Sequence, residues 1–378
     1  MNYILISDSF YRKDFDIINM IRAKFPDCKL ILGVKDNSRI SKLKVALCYG
    51  LGHKVVKLDT DHKEQYLHDL HKVAEKYKND KIVFVPNEEF TTDHFVDYVS
   101  KYGSGGFLFR LPSAGEYKRF RNKNDLNSYC LENNLPAPRK FDPLNTDSFD
   151  YPVILKPCIG SGSEGIIRLN CAEELTEDIK LLLKNKPFVV QELIPNGKDV
   201  HGVFALADNG NVLGIYGHKR LRTSPEEGGV TVFSKLHCDE KLMKQATEFI
   251  NVSKWNGLIM LEYLYDKELG VYKLIETNPR IWGSIMLSEY SGANLLENYI
   301  HLCLGEPLVK PNLKESYIRW FFPMDIIAYI KKKGKIEGFW NFKNTCFINW
   351  TYARIDRALW FVFFSIFNTH NLSKLFRH

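Results

Sequence analysis

Two short apolar segments, Leu258-Ile-Met-Leu-Glu262 and Leu274-Ile-Glu276-Thr-Asn278-Pro-Arg280, constrain this chain more than any other feature. Each reads as a strand bounded by polar turn residues, and each carries ionisable or amide side chains within or at the end of its apolar run. Joined by a polar turn containing Asp266 and Gly270, they form a hairpin pattern in which Glu262 and Glu276 can face each other. At period two, Glu276, Asn278 and Arg280 point to one side. A solvated strand face is the plain alternative, but the flanking apolar runs mark a buried sheet, where unpaired carboxylates are costly. Two carboxylates and an amide oxygen are hard ligands suited to Mg²⁺, and a guanidinium beside them can hold a phosphoryl group or a carboxylate.

Upstream, the first hundred residues alternate β-rich runs (Tyr3–Ser7, Leu30–Val34, Val55–Leu58, Ile82–Pro86) with stretches of helical period, the order of a small parallel α/β sheet. The first strand runs into ISDSFYRKDF, which has no glycine, so a G-x-G-x-x-G dinucleotide role is unsupported there. A basic helical stretch, Lys118 to Asn133, ends at LPAPRKF, where the prolines stop a helix and a new domain can begin. A strand (Pro152–Lys156), a glycine-rich loop, a helix from Ala172 to Lys184 and a strand, Phe188–Glu192, follow.

The loop CIGSGSEG, Cys158 to Gly165, comes directly after a strand-borne lysine, Lys156. Such loops can lay backbone N–H groups against phosphate oxygens. Glycine-serine turns are also common as bland connections, and this one is not a P-loop.

Taken in order, VILKP-CIGSGSEG, VVQELI, GLIMLEYL and LIETNPR resemble the successive motifs of the ATP-grasp superfamily, in its carbamoyl-phosphate-synthetase-like and biotin-carboxylase-like branch. The resemblance covers roughly Lys118 to Leu308. It implies an α/β pre-ATP-grasp domain over residues 1–112, an α+β, two-lobed ATP-grasp domain over 113–308 with its small lobe at about 151–195, and a basic aromatic extension over 309–378. It implies an ATP-dependent ligase that activates a carboxylate as an acyl-phosphate with Mg²⁺, or Mn²⁺, and passes it to an amine. A kinase of the same fold, or a non-catalytic nucleotide-binding module held to membrane by its tail, are the competing readings.

Carried over by position, the resemblance assigns Lys123 and Lys156 to the ATP phosphates, and Gly160, Ser161, Gly162 and Ser163 to a closing loop. Glu192, Leu193 and Ile194 would read adenine, and Asp199 the ribose. Glu262, Glu276 and Asn278 would bind metal, and Arg280 would stabilise phosphoryl transfer and position the acyl-phosphate. Arg222, Gly228 and Gly229, in a basic loop, would face the acceptor. A solvated hairpin edge is the alternative for that loop.

Residues 310–378 hold 12 Lys and Arg against 4 Asp and Glu, leaving 40 bases and 41 acids elsewhere, so the whole excess charge sits in the tail. With Trp320, Trp340, Trp350 and Trp360 among those bases, three readings stand: packing on the core, a peripheral membrane or lipid-linked glycan contact, and nucleic acid, which no accompanying motif supports. Ala358 to Phe367, the longest apolar run, is about half the length a membrane-spanning helix needs. The eight cysteines show no metal-ligand spacing and the start shows no export signal. The expectation is a cytoplasmic protein, peripheral at most to the inner face of the membrane, acting on small molecules and open to homo-oligomerisation.

Overall fold

The structure, a computed structural model, describes residues 2–36, 38–160, 164–195, 200–224, 230–332 and 334–366. The chain forms two compact units: Met1–Ala114 with Val232–Leu236 and Arg280–His378, and Gly115–Thr231 with His237–Pro279.

The first unit opens as the sequence pattern expects. Strands β1 (Asn2–Ile6), β2 (Lys29–Val34), β3 (Lys54–Lys57), β4 (Lys81–Phe84) and β5 (Phe107–Leu108) form a sheet ordered β3-β2-β1-β4-β5. Every pairing in it is parallel. Helices α1 (Arg12–Lys24), α2 (Arg39–Tyr49), α3 (Lys63–Lys76) and α4 (Glu89–Tyr102) alternate with the strands. Ile4, Leu5, Ile31, Leu32, Val83 and Phe84 are fully buried, as strands covered on both faces require. The strand order reverses between β1 and β4, and at their carboxyl ends lie Ser7, Asp8, Asn87 and Glu88.

The basic stretch expected as one helix is two, α5 (Ala114–Arg121) and α6 (Lys123–Glu132). Asn122 divides them, because its side chain accepts from the backbone N–H groups of Asn124 and Asp125 and so starts a new helix. Strands β6 (Lys140–Phe141), β7 (Val153–Pro157), β8 (Ile167–Leu169) and β9 (Phe188–Glu192) form an antiparallel sheet ordered β6-β9-β7-β8. Helix α7 (Glu177–Asn185) begins five residues later than its pattern suggested, since Thr176 caps it through the Ile179 N–H. Leu183 of α7 packs with Phe149, Val153, Leu155, Leu169, Phe188 and Val190.

The larger sheet of this unit uses β10 (Val200–Asp208) and β11 (Asn211–Ser224). The next strand, β12 (Val230–Leu236), has most of its length in the first unit, and α8 (Glu240–Ser253) follows. The expected hairpin is β13 (Gly257–Asp266) and β14 (Val271–Asn278), completing the order β14-β13-β10-β11. One face of this sheet packs on α6 and α8 through Val203, Ala205, Leu261, Tyr263, Leu274, Leu126, Phe249 and Ile250.

The chain then returns to the first unit as α9 (Ile285–Ser291), α10 (Leu295–Leu304), β15 (Tyr317–Arg319), α11 (Ile326–Lys331), β16 (Thr345–Phe347) and α12 (Ile355–Ile366). Within that unit β12 pairs antiparallel with β15, and β15 pairs parallel with β16. Among the described residues no helix is long and apolar enough to cross a membrane.

Candidate active site

The second face of the larger sheet carries the residues expected to bind metal. Leu261 and Tyr263 of β13 point to the helical core, so Met260, Glu262 and Leu264 point away from it. On β14, Leu274 points to the core, and simple alternation would send Glu276 there too. It does not, because a bulge interrupts the ladder: Tyr263 pairs with Leu274, Glu262 pairs with Glu276, and Ile275 is the extra residue. The bulge reverses the parity of everything after it. Thr277 turns inward and donates its hydroxyl to the Phe120 carbonyl at 2.6 Å, while Glu276 and Asn278 join Glu262 on the open face. Across the neighbouring strands Glu262 aligns with Gly202, and Gly202 with His218.

Bases balance these acids. Arg220 donates to Glu262 at 2.9 Å, and Lys123 Nζ lies 3.6 Å from Glu276. Lys123 is the first residue of α6; its N–H donates to the Cys158 carbonyl and its ammonium to the Gly160 carbonyl, both at 2.8 Å. The glycine-rich loop is thereby tied to the helix that carries the lysine. Lys156 projects from β7 on the side opposite Val153 and Leu155, and donates to Gln191 Oε1 at 3.2 Å. Burial pushes its ammonium down to about 8, although Glu276 and, more weakly, Glu262 favour the charged form. Both predicted phosphate lysines and the two predicted metal carboxylates are thus brought together in one unit.

Glu262, Glu276 and Asn278 suit a hard divalent cation in donor type: two carboxylates and an amide oxygen on one face, with room in the coordination shell for phosphate oxygens and water. Among the described residues no group of three or more His, Cys, Asp or Glu gathers, at this face or elsewhere, so the amide oxygen of Asn278 completes the donor set. Glu192, expected to read adenine, ends β9. Its carboxylate accepts from Lys273 at 2.5 Å and from the backbone N–H and Nε of Arg139, each at 2.9 Å. Burial alone would raise this carboxyl, but those bonds outweigh it and hold it below the usual range. The Leu193 N–H donates to the Pro152 carbonyl at 2.9 Å, and Ile194 is buried.

Arg280, two residues beyond β14, is counted with the first unit; its Nη1 donates to the Ile281 carbonyl at 3.0 Å. Together with burial, its charge depresses the Lys13 ammonium. Arg222 is half-buried on β11. Ser161, Gly162, Ser163, Asp199, Gly228 and Gly229 lie outside the described residues.

Sequence reasoning missed Lys273, and it gave no individual role to Gln191 in the expected adenine hinge or to His218 and Arg220 in the basic stretch. Alternation could have found Arg220, since it shares a strand face with the Arg222 that was singled out. His218 is buried with no hydrogen-bond partner on either ring nitrogen, and burial, helped by Arg220 and His201, pushes it down to about 3.

The chain thus combines a parallel α/β unit with a second unit in which two antiparallel sheets carry lysines and carboxylates. Comparison makes this specific. Residues 185–320 match the model of the family described as ATP-grasp in the biosynthetic pathway with Ter operon. Rat mitochondrial pyruvate carboxylase is 22% identical over 309 residues, 75% of this chain and 25% of that protein. An acetyl-CoA carboxylase from Schizosaccharomyces pombe is 26% identical over 184 residues, 45% of this chain and 8% of that protein, so this chain spans only a small part of these relatives. A biotin carboxylase from Campylobacter jejuni, solved as a β-γ-ATP complex, superposes with a TM-score of 0.66 at 18% identity, over 84% of this chain and 74% of its own. An L-amino acid ligase from Bacillus licheniformis gives 0.58 at 16%, over 84% and 78%. The chain has the ATP-grasp fold.

Proposed function

We propose that this protein is an ATP-dependent ligase that joins a small-molecule carboxylate to an amine through an acyl-phosphate. The observation that carries the proposal is the gathering, in one unit, of Lys123 and Lys156 with Glu262 and Glu276. Paired lysines suit phosphate oxygens, and paired carboxylates suit the Mg²⁺ that accompanies them. The fold shared with a carboxylase and an amino acid ligase supports the same reading.

In the proposed reaction a carboxylate oxygen attacks the γ-phosphorus of ATP. The bond from that phosphorus to the bridging oxygen breaks, and ADP leaves. The amine then attacks the acyl carbon, phosphate departs with its oxygen, and the amine loses a proton. Lys123 and Lys156 offset the charge of the transferring group, while Arg280 positions the acyl-phosphate. A divalent cation held by Glu262, Glu276 and Asn278 would neutralise phosphate charge. The chain itself needs no side-chain nucleophile, because orientation and electrostatics carry the step.

The test is ADP and phosphate release from Mg²⁺-ATP with pooled amino acids and carboxylates, with Glu276→Ala as control. Substrate-dependent release of both products, abolished in the variant, supports a ligase. ADP without phosphate, with a stable phosphate ester formed, makes it a kinase. ATP binding that is absent altogether overturns the assignment.

A further inference from the structure

The C-terminal part of the first unit builds an aromatic platform around one buried ion pair. Arg319 and Asp325 are 1% and 0% exposed and hydrogen-bonded, and Arg319 Nη1 also donates to the Phe339 carbonyl at 2.6 Å. The Arg319 guanidinium lies 4.2 Å from the ring centre of Phe339, 4.9 Å from Phe321 and 5.3 Å from Phe342. Tyr329 stacks on Phe339 at 4.1 Å. These contacts fix the underside. Four apolar residues of these segments are exposed: Ile330 at 67%, Trp340 at 63%, Phe342 at 40% and Phe322 at 38%. Trp340 rests edge-on against Phe339, Phe342 and Tyr329, so its exposed ring is held in place.

Among the exposed polar side chains of the same segment are four lysines, Lys331, Lys332, Lys335 and Lys343, beside Glu337, Asn341 and Asn344. Asp325 is consumed inside the platform, and Glu337 is the one other acid between residues 320 and 345. A protein-binding patch places its charges sparingly and is depleted in lysine. Tryptophan beside clustered lysines is instead the composition that settles at a bilayer interface, with rings at headgroup depth and ammonium groups against anionic lipid.

We infer that the platform of Ile330, Trp340, Phe342 and Phe322, rimmed by Lys331, Lys332, Lys335 and Lys343, docks the protein on the surface of an anionic lipid bilayer. The attachment is peripheral: apolar side chains enter the headgroup layer and the lysines neutralise lipid charge. It is independent of the reaction proposed above.

The test is co-sedimentation of the full chain with vesicles of phosphatidylcholine alone or with about one-third phosphatidylglycerol, where each lysine near an anionic surface contributes about 1 kcal/mol. Binding should be at least about tenfold tighter to the anionic vesicles and weaken with salt. Trp340→Ser with Phe342→Ser, and separately Lys331→Glu with Lys332→Glu, should each reduce it about tenfold or more, a change of about 1.4 kcal/mol, the lysine pair at unchanged melting temperature. Leu359→Ser with Trp360→Ser, on the exposed side of α12, should leave it intact. Equal binding to both vesicles, no binding, or loss confined to the α12 variant overturns the inference. So does wild-type self-association that the Trp340 variant abolishes, since the platform would then be covered by a second copy.

Discussion

Lys156 is a positive charge held where water is scarce, and that makes it a reporter of what binds beside it. With its ammonium lowered to about 8 by burial, only about half of the free protein carries this charge at pH 8. Phosphate oxygens would restore the proton, so ATP binding at pH 8 should take up a fraction of a proton, and at pH 6.5 almost none. Calorimetry in buffers of different ionisation enthalpy measures this directly. Lys156→Met should abolish the uptake and weaken binding by about 1.5–3 kcal/mol, the range for hydrogen bonds to charged groups. Lys273 has a structural counterpart role: it is 6% exposed and bridges Glu192 and Asp266, at 2.5 and 2.8 Å. Lys273→Met leaves Asp266 without its base and Glu192 with Arg139 alone, and stability at pH 7 should fall by about 3 kcal/mol in denaturant titration. Both carboxyls are held low in the fold, so the stability they contribute is present above about 4 and disappears as pH falls through their folded values. The cost of the substitution should therefore shrink below pH 4. Glu262 and Glu276 were legible because charge inside an apolar run is rare and needs a reason. The Lys273 pairing was not, since its partner Glu192 lies 81 residues away and no local pattern links them.

At the scale of elements, the hairpin of β13 and β14 was legible and the device that makes it work was not. Period two puts Leu274 and Glu276 on the same face, yet only one of them belongs in the core. The bulge at Ile275 resolves the conflict, and it arises from register against β13, which one strand's sequence does not reveal. Deleting Ile275 should restore a regular ladder in which Glu276 directly follows Leu274 and so stays opposite Glu262 on the open face. The carboxylate pair should therefore survive the deletion, and ATP turnover should be retained. Ile275→Val keeps the residue count and should retain both stability and turnover. Melting temperature and ADP release, compared for the two variants, decide the matter. The break between α5 and α6 has a similar lesson: Asn122 is an ordinary polar residue in the sequence and a helix cap in the fold, and the cap is what presents Lys123 at the first turn of α6. Its amide could have been read as a start signal, but the continuous basic pattern on either side hid it.

Over the whole molecule, the parallel sheet was legible from its alternating runs, while the return of the C-terminal hundred residues to the first unit was not, because such pairing depends on tertiary contact alone. The tail divides by residue: Phe361 stacks on Phe15 at 4.2 Å, whereas Trp340 and Trp360 stay exposed. The same unit holds buried acids to which the sequence pattern gave no role. Burial raises Asp8 to about 6, and Asp16 and Glu289 to about 7. Between about pH 4 and pH 7 these groups keep protons in the fold that they release on unfolding, so the stability they give is complete at low pH and declines as pH rises to 7. His218, pushed to about 3, acts in the opposite sense, since a histidine that charges on unfolding costs stability below about 6.5. Above 6.5 that opposition ends and the acids act alone. From about 8 upward the lowered Lys156 reverses the slope again, because the unfolded lysine holds its proton to about 10.4 and the folded one does not. The protein should therefore pass through a shallow stability minimum near pH 7 to 8. Calorimetric melting from pH 6.5 to 9.5 should show it, and Glu289→Gln should flatten the acid side of the minimum while leaving the alkaline side in place.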